Sequence, residues 1–95
     1  MKHSIYKIVT VKVVSPFTLD IVFDDGAKRT INFLPILKGE MYGPLANEDF
    51  FKKVYLDTEV HTITWPNNAD FNPEILYNWD MYKDELLKRS ETWSS

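Results

Sequence analysis

Ile5, Lys7, Val9, Val11 and Val13 alternate with Tyr6, Ile8, Thr10, Lys12 and Val14 at the start of the chain. A two-residue period in β-branched side chains is the pattern of a strand, and it predicts a first strand over residues 5 to 14, stopped by Ser15-Pro16. The run "TLDIVFDDGAKRTINF" continues the period on both sides of a turn, with Leu19, Ile21 and Phe23 before it and Arg29, Ile31 and Phe33 after it. Asp25-Gly26 reads as that turn, because glycine takes positive φ without steric cost and Asp tolerates it. A three-strand antiparallel meander with one covered face is the expected result.

"LPILKGEMYGPL" breaks the alternation. Pro35 opens a single helical turn, and Gly39, Gly43 and Pro44 mark the rest as loop. Asn47 reads as the N-cap of a short middle helix, with Glu48 and Asp49 in its first turn, Lys52 and Lys53 at its end, and Phe50 and Phe51 as anchors. "VYLDTEVHTITW" then reads as a second hairpin turning near Thr58-Glu59, with Val54, Leu56, Ile63 and Trp65 inward.

Beyond Trp65 the period lengthens to that of a helix. Trp65-Pro66 ends a strand and Asn67-Asn68 turns the chain. Asn72 stands at N-cap, Pro73 at the first helical position, Glu74 at the positive end of the dipole, and Phe71 and Leu76 are placed for a hydrophobic staple. Ile75, Trp79, Tyr82 and Leu86 form one stripe, widened by Leu76 and Leu87, so a longer C-terminal helix is expected over 73–89. Asp84–Lys88 and Glu85–Arg89 sit four apart on its outer side. Residues 90–95 read as a frayed tail. The predicted architecture is one α+β domain over 1–95: a small antiparallel sheet (three-strand meander plus a second hairpin), a short middle helix and a longer C-terminal helix.

Composition trims the functional classes. A chain of 95 residues, 44% apolar and 26% charged, has room for one core and is not disordered in character. Without cysteine it has no disulfide framework and no thiolate metal site. Lys7 and Lys12 interrupt the N-terminal apolar run, unlike a signal peptide, and nothing approaches the roughly 18 apolar residues of a membrane span. The expectation is a cytoplasmic protein with no membrane partner. A net charge of −3 and a pI near 5.2 count against nucleic acid as a partner of this chain alone.

Candidate chemistry is thin. His3 and His61 have no companion ligand at metal spacing, so neither metal nor cofactor is expected, and His61 reads as a solvated side chain on the outer face of a strand. Asp24-Asp25 is explained by the turn. Asp70 and Glu74, four apart, could share acid and base work beside Trp65, which is the enzyme or ligand-binding alternative. Aromatic density around the last helix favours a different reading, since Trp and Tyr anchor interfaces. The candidate interaction surface is Trp65, Asn67, Asn68, Asp70, Tyr77, Trp79, Tyr82 and Leu86, offered to a second copy in a homodimer or to a small protein partner.

"FDDG", "LPIL", "GPL" before Phe50, and "WPNNAD" leading to "PEILY" together resemble a bacterial family of small proteins labelled as a domain of unknown function. The resemblance covers about residues 5–77, and W-P-N-x-A-D-x-x-P-E-x-L-Y is its most specific part. Asn68 stands where that family commonly has Gly, and Asn32 where it often has Asp. Asn is the next best residue for a left-handed turn, so the geometry should survive. The resemblance implies one half of a proposed toxin–antitoxin pair. It implies no catalytic residue. Some relatives add a helix-turn-helix segment, but this chain has one helix after the pattern and no second helix to make that motif.

Overall fold

The computed structural model describes residues 6–93, with side chains through Glu91; His3, Ile5, the Trp93 side chain, Ser94 and Ser95 lie outside the described residues. Strands β1 (Ile8–Ser15), β2 (Thr18–Phe23) and β3 (Lys28–Asn32) form an antiparallel sheet in the order β1-β2-β3. A second two-stranded sheet joins β4 (Tyr55–Asp57) to β5 (Thr62–Thr64). Between the sheets lie a 3-10 turn (Leu34–Ile36), α1 (Gly39–Tyr42), a second 3-10 turn (Gly43–Ala46) and α2 (Glu48–Phe51). The chain ends in α3 (Pro73–Tyr77) and α4 (Trp79–Trp93). This is the α+β arrangement that the pattern predicts.

The strands follow the alternation apart from two irregularities in the β1–β2 pairing, one between Ile8 and Thr10 and one between Val13 and Ser15 at the strand's end. Leu19, Ile21, Phe23, Ile31 and Phe33 are buried. In β1, however, Ile8 pairs with Phe23 while Thr10 pairs with Val22, so Val9 is an extra residue opposite one step of β2. Such a bulge reverses which side chains face in. Ile8 is therefore buried on one side of the bulge, and Val11 and Val13, of the opposite parity, pack on the core beyond it. Strict alternation placed Ile8 and Val11 on opposite faces, and an inserted residue cannot be seen in a period.

The two asparagine- and aspartate-rich turns are the same device. In Phe23–Ala27 the Gly26 N–H donates to the Phe23 carbonyl and the Phe23 N–H to the Ala27 carbonyl, both at 2.9 Å. In Trp65–Ala69 the Asn68 N–H donates to the Trp65 carbonyl and the Trp65 N–H to the Ala69 carbonyl, again at 2.9 Å. The middle side chain of each turn, Asp25 or Asn67, accepts from the following alanine N–H at 2.9 and 3.1 Å. The left-handed residue is Gly26 in one (φ 90°) and Asn68 in the other (φ 68°). Thus "FDDGA" and "WPNNA" encode one three-residue loop twice.

Helical capping also follows the local chemistry. Asn47 Oδ1 accepts from the Phe50 N–H at 3.1 Å and Asn72 Oδ1 from the Glu74 N–H at 2.9 Å, each starting a helix whose first turn is acidic. Of the two four-apart charge pairs, Glu85–Arg89 closes at 2.7 Å.

Four expectations need correction. The stretch from Gly39 to Ala46 is a pair of short helical turns, not loop, because Pro44 starts a 3-10 turn as α1 ends. His61 is not on the outer face of a strand: it occupies the left-handed end of the second hairpin's turn (φ 59°), where its carbonyl accepts from the Ile8 N–H at 2.9 Å. The C-terminal helix is not continuous over 73–89, since Asn78 (φ −104°, ψ 39°) divides α3 from α4. Residues 90–93 continue α4 in place of a frayed tail, and Ser90 is buried with its hydroxyl donating to the Leu87 carbonyl at 2.7 Å.

Candidate functional site

The segment Thr62–Tyr77 gathers most of the predicted site residues, and the side chains of Thr62, Thr64, Asn67 and Asn72 are spent on backbone. The Thr62 hydroxyl donates to the Phe71 carbonyl at 2.6 Å, and the Thr64 hydroxyl to the Ala69 carbonyl at 2.9 Å. Asn67 spends both ends of its amide: Oδ1 closes the turn and Nδ2 donates to the Met41 carbonyl at 3.0 Å. The Tyr42 hydroxyl donates to the Asp70 carbonyl at 2.8 Å, while its ring stacks on Phe71 with centroids 4.8 Å apart. Burial, reinforced by the Asp70 carboxylate, pushes the Tyr42 phenol above its usual range. Each bond joins this corner to α1 or folds it on itself. A buried carbonyl without a donor is costly, so these side chains hold the chain in its path.

Trp65 lies at the centre. It is fully buried, its Nε1–H donates to the Phe51 carbonyl at 2.9 Å, and its ring packs on Phe51 at 5.6 Å and Phe71 at 6.0 Å. Phe33 meets the same cluster, 5.1 Å from Phe71 and 5.7 Å from Trp79. Trp65 therefore cannot stand on an interaction surface or stack on a ligand. Asp70 and Glu74 are both exposed. The groove that Glu74 lines, about 230 Å³, is shared with Asn72, Ile75, Tyr82 and Arg89, and Asp70 is not in its wall. The trio of Asp70, Glu74 and Trp65 is not brought together as one site.

Tyr77 anchors the other end of the corner. Its hydroxyl donates to Asp25 Oδ2 at 2.6 Å, its ring lies 4.9 Å from Phe23 and 4.4 Å from Tyr6, and the Arg29 guanidinium sits 4.8 Å over its face. Arg29 Nε–H also donates to the Tyr77 carbonyl at 2.7 Å, and Arg29 Nη1–H to the Lys28 carbonyl at 2.7 Å. The Tyr77 hydroxyl, helped by the Ala27 N–H, holds the Asp25 carboxyl below the usual carboxylate range, and the same bond pushes the Tyr77 phenol up. This end of the corner is thereby fastened to the first hairpin.

The remaining predicted surface residues divide. Leu86 is buried, Trp79 and Tyr82 are half-buried, and Asn68 is exposed in its turn. The exposed apolar side chains include Leu34 on the first 3-10 turn and Met81 and Leu87 on α4. A shallow groove of about 150 Å³ runs between these elements, lined by Pro35, Ile36, Trp79 and Leu87, with Asn32, Lys83 and Asp84 at its rim. Pro35 and Ile36 gave no sign of this role in the pattern; Leu87 did, as the residue widening the helical stripe. Arg29 was legible only as a cation in an inward register, beside Ile31 and Phe33. Among the described residues no three His, Asp or Glu side chains cluster to hold a metal ion, and no helix is long and apolar enough to cross a membrane.

An α+β domain with a hydrogen-bonded corner and an apolar groove beside its last helix is the class that this geometry defines. The chain belongs to the family described as Protein of unknown function (DUF2442), whose model matches residues 8–82. No curated protein and no solved structure matches the chain.

Proposed function

We propose that the protein is a non-enzymatic interaction module, the antitoxin-like half of a two-protein pair, and that it docks through the groove between the first 3-10 turn and α4. The observation that carries this reading is the apolar groove in which Pro35, Ile36 and exposed Leu87 surround the half-buried Trp79 ring. Aromatic and aliphatic side chains half open to solvent at a groove are what a partner's apolar anchor fills, with charged groups such as Lys83 and Asp84 at the rim. The W-P-N-N-A-D motif supports the reading indirectly. Its Asn67 amide and Trp65 Nε1–H bond to backbone, which makes it the frame behind the surface. The resemblance to one member of paired small bacterial proteins fits a partner of similar size, in the cytoplasm of a bacterium.

Photo-crosslinking tests this directly. A benzophenone amino acid at Leu87 in the full-length protein, expressed in its host, should yield one dominant adduct of defined mass. The same probe at Val14, 42% exposed on β1, is the control. Equal and diffuse labelling from both positions would remove the groove from consideration.

A further inference from the structure

The amino-acid pattern and the structure disagree at one residue, and the disagreement has a physical agent. From Pro73 to Arg89 the sequence has the stripe, cap and charge order of one continuous helix, yet the chain breaks at Asn78. In an unbroken helix the Tyr77 carbonyl would accept from the Met81 N–H, four residues on. Here the Met81 N–H donates instead to the Asn78 carbonyl at 2.9 Å, sharing it with the Tyr82 N–H at 3.2 Å. The Tyr77 carbonyl is taken by Arg29 Nε–H at 2.7 Å. A side chain inserted into the ladder is a recognised cause of a helix kink. The guanidinium is well held for this purpose, stacked on the Tyr77 ring and anchored to the Lys28 carbonyl.

Beyond Trp79, whose ring packs 5.7 Å from Phe33, the element after the break is lightly held. Leu86 and Ser90 are the buried residues of α4 among its described side chains, and one of the two is polar. Grooves of about 230 and 150 Å³ flank it on two sides. The family match ends at residue 82, within the first turn of α4, so most of this helix lies outside the part that defines the family.

We propose that Arg29 is a latch that keeps the C-terminal helix broken at Asn78, and that its release lets α3 and α4 join into one helix, lifting α4 away from the first 3-10 turn. The joined helix would restore the Met81-to-Tyr77 bond and align Ile75, Trp79, Tyr82 and Leu86 on one face. α3 stays in place throughout, because buried Leu76 and the Tyr77 hydroxyl fix it to the core and the first hairpin. The groove between the 3-10 turn and α4 exists only in the latched state. The switch is a property of the chain itself and needs no partner.

The chain contains no cysteine, so spin labels can be placed at two chosen positions without background. Lys12→Cys on β1 and Lys88→Cys on α4 are both exposed sites. Pulsed dipolar spectroscopy on this pair should give one dominant distance. Arg29→Leu keeps an apolar stem over the Tyr77 ring and removes the donor, and Asn78→Ala favours the unbroken helix from the other side. Each should add a second population, displaced by roughly 10 Å because ten residues of helix act as a lever. A single unchanged distance in Asn78→Ala, with near-ultraviolet circular dichroism still folded, overturns the two-state helix. A second population in Asn78→Ala but none in folded Arg29→Leu overturns the latch.

Discussion

The Tyr77 hydroxyl and the Asp25 carboxylate, 52 residues apart in sequence, meet at 2.6 Å. Asp25 uses its other oxygen to close its own turn on the Ala27 N–H. One carboxylate therefore shapes the first hairpin's loop and fastens the end of α3 to it. The turn chemistry of Asp25 can be read locally; its second duty cannot.

This contact makes stability depend on pH at both ends of the range. Asp25 has a folded pKa below its unfolded value, so its contribution is present above the unfolded pKa near 4 and fades as pH falls through the folded one. Tyr77 has a folded pKa above its unfolded value. Its contribution is present below about pH 10 and is lost as pH rises through the folded pKa. Urea midpoints measured from pH 2 to 11 should thus fall at both extremes. In Asp25→Asn the acid limb should flatten, and in Tyr77→Phe the alkaline limb should. An acid limb of wild-type steepness in Asp25→Asn would mean that other carboxylates set it.

The paired loops predict opposite responses at equivalent positions. Gly26→Ala forces a Cβ into a φ of 90°, with no atom close enough to clash, so its cost of about 1 kcal/mol is backbone strain alone. Asn68→Gly, at φ 68°, should be neutral or stabilising by a few tenths of a kcal/mol, because glycine relieves that strain. Chemical denaturation of both variants checks the pair. A clear loss in Asn68→Gly would show the Asn68 side chain acting beyond the turn.

How much was legible depends on how far apart the interacting residues lie. Caps, turns and strand periods involve neighbours within a few positions, so Asn47, Asn72, Gly26 and Asn68 appear where their chemistry places them. The bulge at Val9 was illegible because it is a relation between two strands. The break at Asn78 was illegible because its cause, Arg29, lies 48 residues before the carbonyl that it takes. Trp65 shows the same limit in the site: its burial was expected from the hairpin, yet its ring chemistry also suggested a surface, and the core contacts with Phe33, Phe51 and Phe71 decide for burial.

Removing caps and core contacts should rank in a defined order. Asn72→Ala loses one side-chain acceptor at an exposed helix start and should cost about 1 kcal/mol. Trp65→Phe opens a void in the core and strips the donor from the Phe51 carbonyl, so it should cost more, about 2 to 4 kcal/mol. Equilibrium unfolding in urea orders the two. A smaller loss for Trp65→Phe would mean that the pocket closes up around phenylalanine and the carbonyl finds water.

Association is the remaining consequence of the groove. If a second copy takes the groove, a twofold axis, the commonest symmetry of homo-oligomers, would set the Leu87 of each chain against the other's groove. Trp79→Glu would weaken such a contact, but Trp79 also packs 5.7 Å from Phe33, so the substitution strikes the fold as well. Leu87→Glu separates the two effects. Leu87 is 38% exposed in the single chain, and a carboxylate there remains hydrated until a second surface covers it. Sedimentation velocity at high micromolar concentration should show a concentration-dependent dimer for the wild-type protein and a monomer for Leu87→Glu, with unfolding free energies of the dilute proteins within about 0.5 kcal/mol of each other. A wild-type protein that sediments as a monomer throughout would leave the groove to a different partner and end the case for a homodimer.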